Sequence, residues 1–528
     1  MEFANVLIRK GRMSVPLIIK FTELKPRQVR ESLLVLIQHN IAYYAESEER
    51  SRIVTYYEID KEETLHRVLI PKVLQYSKLW FDREGEEVAL SILTHGKQRI
   101  TDLIGDAPVK SAQPGSRLNR AQLTKKMFTK MVKEKCLIAV RPSDSLAPVD
   151  RAMAEEKKET DKLTLPPTAA ELANIRRTLG AQKGQEQSRT TIVGLKRTLD
   201  TVDGADGFDD GKRRKLTDGD LQIIEEVERD VFFKINFDRF IIRWRNMKIA
   251  GLYETRLNPT ARKIMDSILS IAEERMINCK EDMSSSVNIM LLFNNLPTDV
   301  NLVDTLEFDP IDMGPNNTKP KPSECLEKYL QILEDDLLRI LKKDAGRSGQ
   351  YTIQLKAANK ILKKNLIQDI VATRYGLPYV RIMNMLLDKG KLEEKQISKF
   401  SMMPVKDVRE KLTTLCTFGV LNLQEVPKTN DRTPSRTFYL WEVVLPRAAD
   451  SLSDNLYHAM GNLRQRRFVE RARRSVLLEK CERTDVKAND ALLNAAEKAE
   501  LNKLNGVLEQ LEIQELRLAE MVMTLRDF

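Results

Sequence analysis

One pattern recurs along this chain and limits its fold more than any single motif: helix, tight turn, helix, then two β-branched or aromatic runs around a polar turn. In the first copy, Val15, Leu17, Ile18, Ile19, Phe21 and Leu24 read as a short apolar helix ending before Pro26. Pro26 suits the first turn of the next helix, where a missing N–H costs nothing. That helix places Val29, Leu33, Leu36 and Ile37 on one face with a 3.6-residue period. Ile41–Ala45 and Ile53–Tyr57 flank a charged turn and read as a hairpin. This is the wiring of a winged helix-turn-helix domain.

A second copy follows: a helix over Glu86–Thr94, a connector over Gln98–Leu103, a helix over Asn119–Glu134 and a strand over Cys136–Val140. A third, more decorated copy starts at Pro259 and runs through Leu326–Leu341 to a strand at Tyr351–Leu355. The fourth is the cleanest, with helices over Tyr379–Leu387, Glu394–Phe400 and Val405–Phe418 and wing strands over Val420–Val426 and Arg436–Trp441. The copies share wiring rather than sequence, and repetition of this kind decides a fold class before any motif does. The expected architecture is therefore mainly α with small β wings: four tandem winged-helix domains and a C-terminal antiparallel coiled-coil hairpin.

The boundaries expected are 1–65 and 66–145 for the first two winged helices, 226–362 and 363–446 for the last two, and 447–528 for the hairpin. Residues 146–225 are rich in Lys, Glu, Asp, Thr, Gly and Pro without an apolar period, the composition of a disordered linker. Lys212, Arg213, Arg214 and Lys215 lie in it and suit a nuclear-import receptor; a solvated charge run explains them equally well. In the hairpin, Leu452, Leu456, Ala459, Leu463, Phe468, Ala472 and Val476 read as one face of a helix over Asp450–Val476, which carries six arginines between Arg464 and Arg474. Leu501, Leu504, Leu508, Leu511, Leu518, Val522 and Leu525 fall at a and d positions of a second helix, interrupted by Glu515, and call for a partner helix or surface.

The chain of 528 residues has a formal net charge of +10, an excess that suits a polyanionic partner through counterion release. Cys136, Cys279, Cys325, Cys416 and Cys481 are isolated from one another and only four histidines are present, so neither a zinc site nor a disulfide framework is expected. No phosphate-cradling loop, nucleophile elbow or metalloprotease motif occurs, and neither a cofactor nor a metal is expected. No apolar run is long enough to span a bilayer and the start carries no signal peptide, so an intracellular, soluble protein without a small-molecule substrate is expected. In a winged helix the third helix can enter the major groove while the wing touches backbone. The candidate DNA-binding residues are Lys25, Arg27, Arg30, Arg50 and Arg52 in the first domain and Arg120, Lys125 and Lys126 in the second. Those of the fourth are Lys406, Arg409, Lys411, Lys428, Arg432 and Arg436. Such side chains mostly meet phosphates. The same fold also serves as a protein-docking module, and a scaffold without direct DNA contact stays open, as does a sequence-specific regulator.

The segment KQISKFSMMPVKDVREKLTTLCTFGVLNLQEVPKTNDRTPSRTFYLW, Lys395–Trp441, resembles the fourth winged helix of the 82-kilodalton-class subunit of RNA polymerase III, a family related to the large subunit of general transcription factor IIE. Leu34–Asn40, LVLIQHN, followed by an aromatic strand, resembles its first winged helix. The resemblance implies a non-catalytic nuclear subunit in a three-subunit, initiation-specific subcomplex docked on the polymerase clamp. Its implied partners are the clamp of the largest subunit, two sister subunits, the polymerase III initiation factor and promoter DNA, which it helps to open for transcription of small RNA genes of the tRNA and 5S type. The family's N-terminal helix is expected to be short here, at Phe3–Lys10, which bears on DNA contact by the first domain.

Overall fold

The computed structural model describes residues 2–49, 52–105, 114–162, 168–188, 194–201, 221–297, 300–302, 305–306, 321–344, 346, 349–428, 430, 433–488 and 493–528. They fall into two compact units, Met1–Phe240 and Ile241–Phe528. The first holds two winged helices; the second holds two more and the helical hairpin.

In domains one, three and four a minimal three-stranded antiparallel sheet closes the helices, and its last strand lies in the middle; in domain two a two-stranded sheet and an isolated bridge take its place. Met13 pairs with Tyr57 and Ala42 with Ile59 in the first domain. Val287 and Lys343 flank Tyr351 in the third, and Leu392 and Leu423 flank Trp441 in the fourth. The second domain repeats the order with Gln98 and Leu137–Ala139 on either side of Phe233–Ile235. Its wing thus closes across residues 140–232, and the strand that closes it lies in the stretch expected to begin the third domain. Long insertions are tolerated because loop-closure entropy grows only logarithmically with length.

The expectation of an unstructured linker over 146–225 is corrected by the same geometry. Helices Pro148–Thr160 and Ala169–Ser188 occupy part of it, tied by an Arg176–Glu156 ion pair of 2.9 Å. Strand Leu195–Thr201 pairs with Leu221–Val227. The insertion is anchored on the first domain, where Ala147 N–H donates to the Tyr44 carbonyl at 3.0 Å and Arg12 meets Asp150 at 3.0 Å. These anchors hold the N-terminal end of Pro148–Thr160, and Ala169–Ser188 packs on that helix. Lys212, Arg213, Arg214 and Lys215 lie outside the described residues.

The N-terminal helix Glu2–Lys10 is short yet present, and Phe3 and Leu7 are buried in the first core beside Val29 and Leu33. In the second domain the first helix is the end of a longer one, Ile70–His95, bent where Asp82 takes φ 58°. The first helices of domains one, two and four each end in a left-handed glycine followed by a basic residue and the first strand: Gly11-Arg12-Met13, Gly96-Lys97-Gln98 and Gly390-Lys391-Leu392. At Gly96 a Cβ would sit 2.4 Å from the Gln38 carbonyl oxygen. The Gln38 side chain also donates to the carbonyls of His95 and Lys97 at 3.2 and 3.0 Å, so this turn joins the first two winged helices.

The hairpin consists of Leu445–Arg473 and Ala495–Val522, with short helices Ser475–Glu482 and Thr484–Ala488 between them. Ala448, Ala449 and Leu452 at its start and Leu525 near its end belong to the core of the fourth winged helix. Two expectations change here. Phe468, Ala472 and Val476 do not continue the buried face begun by Leu452; they lie exposed on the opposite side of the hairpin. Glu515 is no interruption: it is buried, 2.5 Å from Arg464 and 3.2 Å from Arg467 on the other helix. Arg474–Glu500 at 3.3 Å and Lys480–Glu497 at 2.7 Å extend this zipper towards the tip.

Candidate nucleic-acid interface

The third helix of each winged helix carries the candidate site, and its buried side fixes which residues face outward. Val29, Leu33 and Leu36 pack inward from Pro26–Gln38, Phe128 and Met131 from Pro114–Lys133, Leu326, Leu330 and Leu333 from Pro322–Asp335, and Val408, Leu412 and Leu415 from Val405–Thr417. Aligning the helices on these positions aligns their outer faces, since residues three, four and seven apart share one side of a helix. The first presents Arg27, Arg30, Leu34 and Gln38. The second presents Gln122, Lys125, Thr129 and Lys133. The third presents Glu324, Glu327, Lys328, Gln331 and Asp335, and the fourth Lys406, Arg409, Glu410, Thr413 and Thr417.

Charge therefore separates four faces of one geometry. Domain two is basic there, domain four sets Lys406 and Arg409 beside Glu410, domain three is acidic apart from Lys328, and domain one mixes cations with Leu34 (69% exposed) and its neighbour Val35. The acidic face escaped the sequence reading because Glu324 and Glu327 alternate with Cys325, Leu326 and Lys328, and only the burial of Leu326, Leu330 and Leu333 picks out one face.

The candidates are placed as follows. Lys25, at the N-terminus of the first third-helix, and Arg30 and Arg52 are exposed, while Arg27 is paired with Glu31 at 2.8 Å. Arg50 and Arg432 lie outside the described residues. Arg120 lies on Pro114–Lys133, where Lys125 is half-buried and Lys126 exposed. Lys406 is exposed, and Arg409 reaches Glu394 at 2.9 Å, an exposed pair that a phosphate can displace at little cost. Lys411 is turned away over the Tyr379 ring at 5.6 Å. In the fourth wing, the Lys428 ammonium lies over Phe438 at 4.3 Å, and the Lys428 backbone N–H donates to the Arg436 carbonyl at 2.9 Å, so the two residues are paired through their backbones.

The leucine stripe of the last helix finds its partner inside the chain. Leu504, Leu511, Val522 and Leu525 are buried, while Leu501, Leu508 and Leu518 are half-buried. Opposite them stands Leu445–Arg473, which supplies a partner helix for this stripe within the chain. The exposed apolar side of the hairpin is Phe468, Val469 and Val476, flanked by Arg464 and Arg471 on one edge and Arg466 and Arg473 on the other.

Two of the four histidines are neighbours. His39 and His95 sit at the junction of the first two domains, and burial, then Arg67 and His95, push the His39 imidazole below its ordinary pKa. His66 stacks on Phe237 at 5.4 Å. All five cysteines are free. Among the described residues no cluster of His, Cys, Asp and Glu could hold a metal ion, and no helix is long and apolar enough to cross a membrane.

Comparison with known families agrees with this architecture piece by piece. Residues 3–47 match the RNA polymerase III subunit RPC82 helix-turn-helix domain, and 124–362 match RNA polymerase III subunit RPC82. Residues 367–443 match the POLR3C C-terminal winged-helix domain, and 476–524 the DNA-directed RNA polymerase III subunit RPC3 helical hairpin domain. Among curated relatives, DNA-directed RNA polymerase III subunit RPC3 of Bos taurus is 26% identical over 521 residues, covering 97% of this chain and 89% of the relative. The Homo sapiens protein of that name is 26% identical over 516 residues, with 97% and 88% covered. That of Emericella nidulans is 23% identical over 605 residues, with 99% and 96% covered. With its winged helices and hairpin matched in order along nearly the whole length, the chain belongs to the RPC82/RPC3 family of RNA polymerase III subunits.

Proposed function

We propose that the protein is a non-catalytic nuclear subunit of RNA polymerase III that works in an initiation-specific heterotrimer on the polymerase clamp and helps to open promoter DNA. Its partners in this reading are the clamp, two sister subunits, the polymerase III initiation factor and the promoter of tRNA- and 5S-type genes. The observation that carries the DNA part is the outward, cationic N-terminal half of the fourth third-helix, Lys406 and Arg409, beside a wing bearing Lys428 and Arg436. Cations so placed meet phosphates and position a duplex without reading its bases. The hairpin's outer face, Phe468 and Val476 between arginine edges, supports docking on an acid-rimmed apolar surface of the polymerase.

The test is binding of a partly melted duplex over a salt series, with wild type against Lys406→Glu/Arg409→Glu. A log–log salt slope shallower by about two in the variant is expected, near one for each phosphate left without its cation. An unchanged slope overturns DNA contact at this helix. The scaffold reading has its own support in the exposed Leu34 and Val35 of the first domain and the acidic face of the third. It predicts binding to partner subunits that is nearly indifferent to the charge reversal.

A further inference from the structure

A groove of about 620 Å³ opens beside the C-terminal half of the fourth third-helix, bordered by the end of helix Leu355–Tyr375 and by the first hairpin helix. None of the residues lining it is acidic. Its apolar base is Phe418 with Tyr375 edge-on at 5.3 Å, and the Arg374 guanidinium lies over the Phe418 ring at 4.7 Å. Among the described residues no carboxylate pairs with Arg374. Along the hairpin wall Asn455, His458 and Asn462 share one helix face. On the opposite wall the Thr413 and Thr417 hydroxyls donate to the carbonyls of Arg409 and Thr413 at 3.0 and 2.9 Å, which leaves their lone pairs to the groove.

We propose that this groove binds an extended, acidic peptide segment of a partner protein. A carboxamide offers both a donor and an acceptor, the pattern of a peptide backbone. Asn455 and Asn462 are seven residues apart, about 10 Å along a helix, close to the three-residue turn of about 9 Å of an extended polyproline II chain. A guanidinium held over a ring keeps its N–H edge for a carboxylate, which it can take through two parallel hydrogen bonds. Two helix C-termini border the groove, and their partial negative charge favours the N–H groups of a peptide backbone, leaving its carboxylates to Arg374.

The experiment uses the full chain and a fluorescein-labelled peptide of about ten alternating Asp and Thr residues, read by anisotropy. Saturable binding is expected, weakened at least about tenfold by Arg374→Glu and about threefold to tenfold by Asn455→Ala/Asn462→Ala, the latter without a change in salt dependence. An equal charge reversal at the exposed Arg83 leaves binding unchanged, and thermal melts of the variants match wild type, because the replaced side chains are exposed. Failure of the wild type to bind overturns the proposal, as does equal weakening by Arg83→Glu, the mark of non-specific charge attraction. Displacement of the peptide by a single-stranded oligonucleotide whose own binding is lost in Arg374→Glu also overturns it, in favour of a nucleic-acid groove.

Discussion

The third helices of the third and fourth winged helices are built alike and face the solvent with opposite charge. Leu326, Leu330 and Leu333 in one and Val408, Leu412 and Leu415 in the other bury the same side, and each inserts against the same three-stranded sheet order. Outward, Glu324 stands where Lys406 does, Glu327 where Arg409 does, and Asp335 where Thr417 does, while Lys328 against Glu410 runs the other way. Burial constrains the inner face to apolar residues of fixed spacing, whereas water accepts any polar residue on the outer one. One fold therefore carries two recognition chemistries, and function has to be read from the face and not from the fold.

The comparison breaks most visibly if the charges are moved. Glu324→Lys with Glu327→Arg should raise the salt slope for a partly melted duplex by about two and weaken assembly with partner polymerase subunits at least about tenfold. Assembly equal to wild type in a pull-down at physiological salt would reduce the acidic face to solvated surface.

The fourth domain also has a support of its own: its core includes Ala448, Leu452 and Leu525 of the hairpin. Glu515→Ala leaves Arg464 and Arg467 without their buried carboxylate, whose side chain is 8% exposed. Both arginines keep access to water, so the cost should be about 1–3 kcal/mol, below that of a fully buried pair. Hydrogen exchange should then rise in the fourth domain and the hairpin while the third domain stays protected. Equal loss of protection in both domains would show that their stabilities are not separate.

A smaller effect is expected at Gly419, which leaves the fourth third-helix with φ +85°, and where a Cβ would meet Ser451 Cβ at 2.8 Å. Gly419→Ala should cost about 1–2 kcal/mol in urea unfolding. The third domain turns at the equivalent place through Arg339 at φ 49°, and Arg339→Gly should stabilise slightly if that left-handed residue is strained. The smallest effect involves pH. The folded state depresses the His39 pKa, so its contribution is complete above about 6.5 and is lost as pH falls through the folded value. Melting of the first two domains should decline below that pH, less in His39→Gln; an identical decline in the variant assigns the effect to another group.

Much of this was legible in the residues. The 3.6-residue periods of Val29–Leu36 and Val408–Leu415 mark helices, and the aromatic runs at Tyr43 and Tyr57 mark strands, because local spacing alone places those side chains on one face. The Gly–basic–strand triplets at Gly11, Gly96 and Gly390 were equally present in the sequence, but three residues carry too little pattern to stand out before the turns are seen. The role of Glu515 was not legible, because its partners Arg464 and Arg467 come from roughly fifty residues away. Nor was the exposure of Phe468: an apolar residue in a helix can continue the buried stripe or begin a new face, and only the packed neighbour decides.

The sequence by itself determined the succession of elements, the apolar sides of the third helices and the excess of cations, all of which depend on residues within a turn or two of each other. Tertiary structure alone decided that Phe233–Ile235 closes the wing of the second domain across 140–232 and that the last leucine stripe is satisfied inside the chain. It also decided which charges face outward together. Strand pairing and helix docking are settled by the total apolar surface removed from water, and the length of an intervening loop weighs on that balance only logarithmically, leaving no local trace.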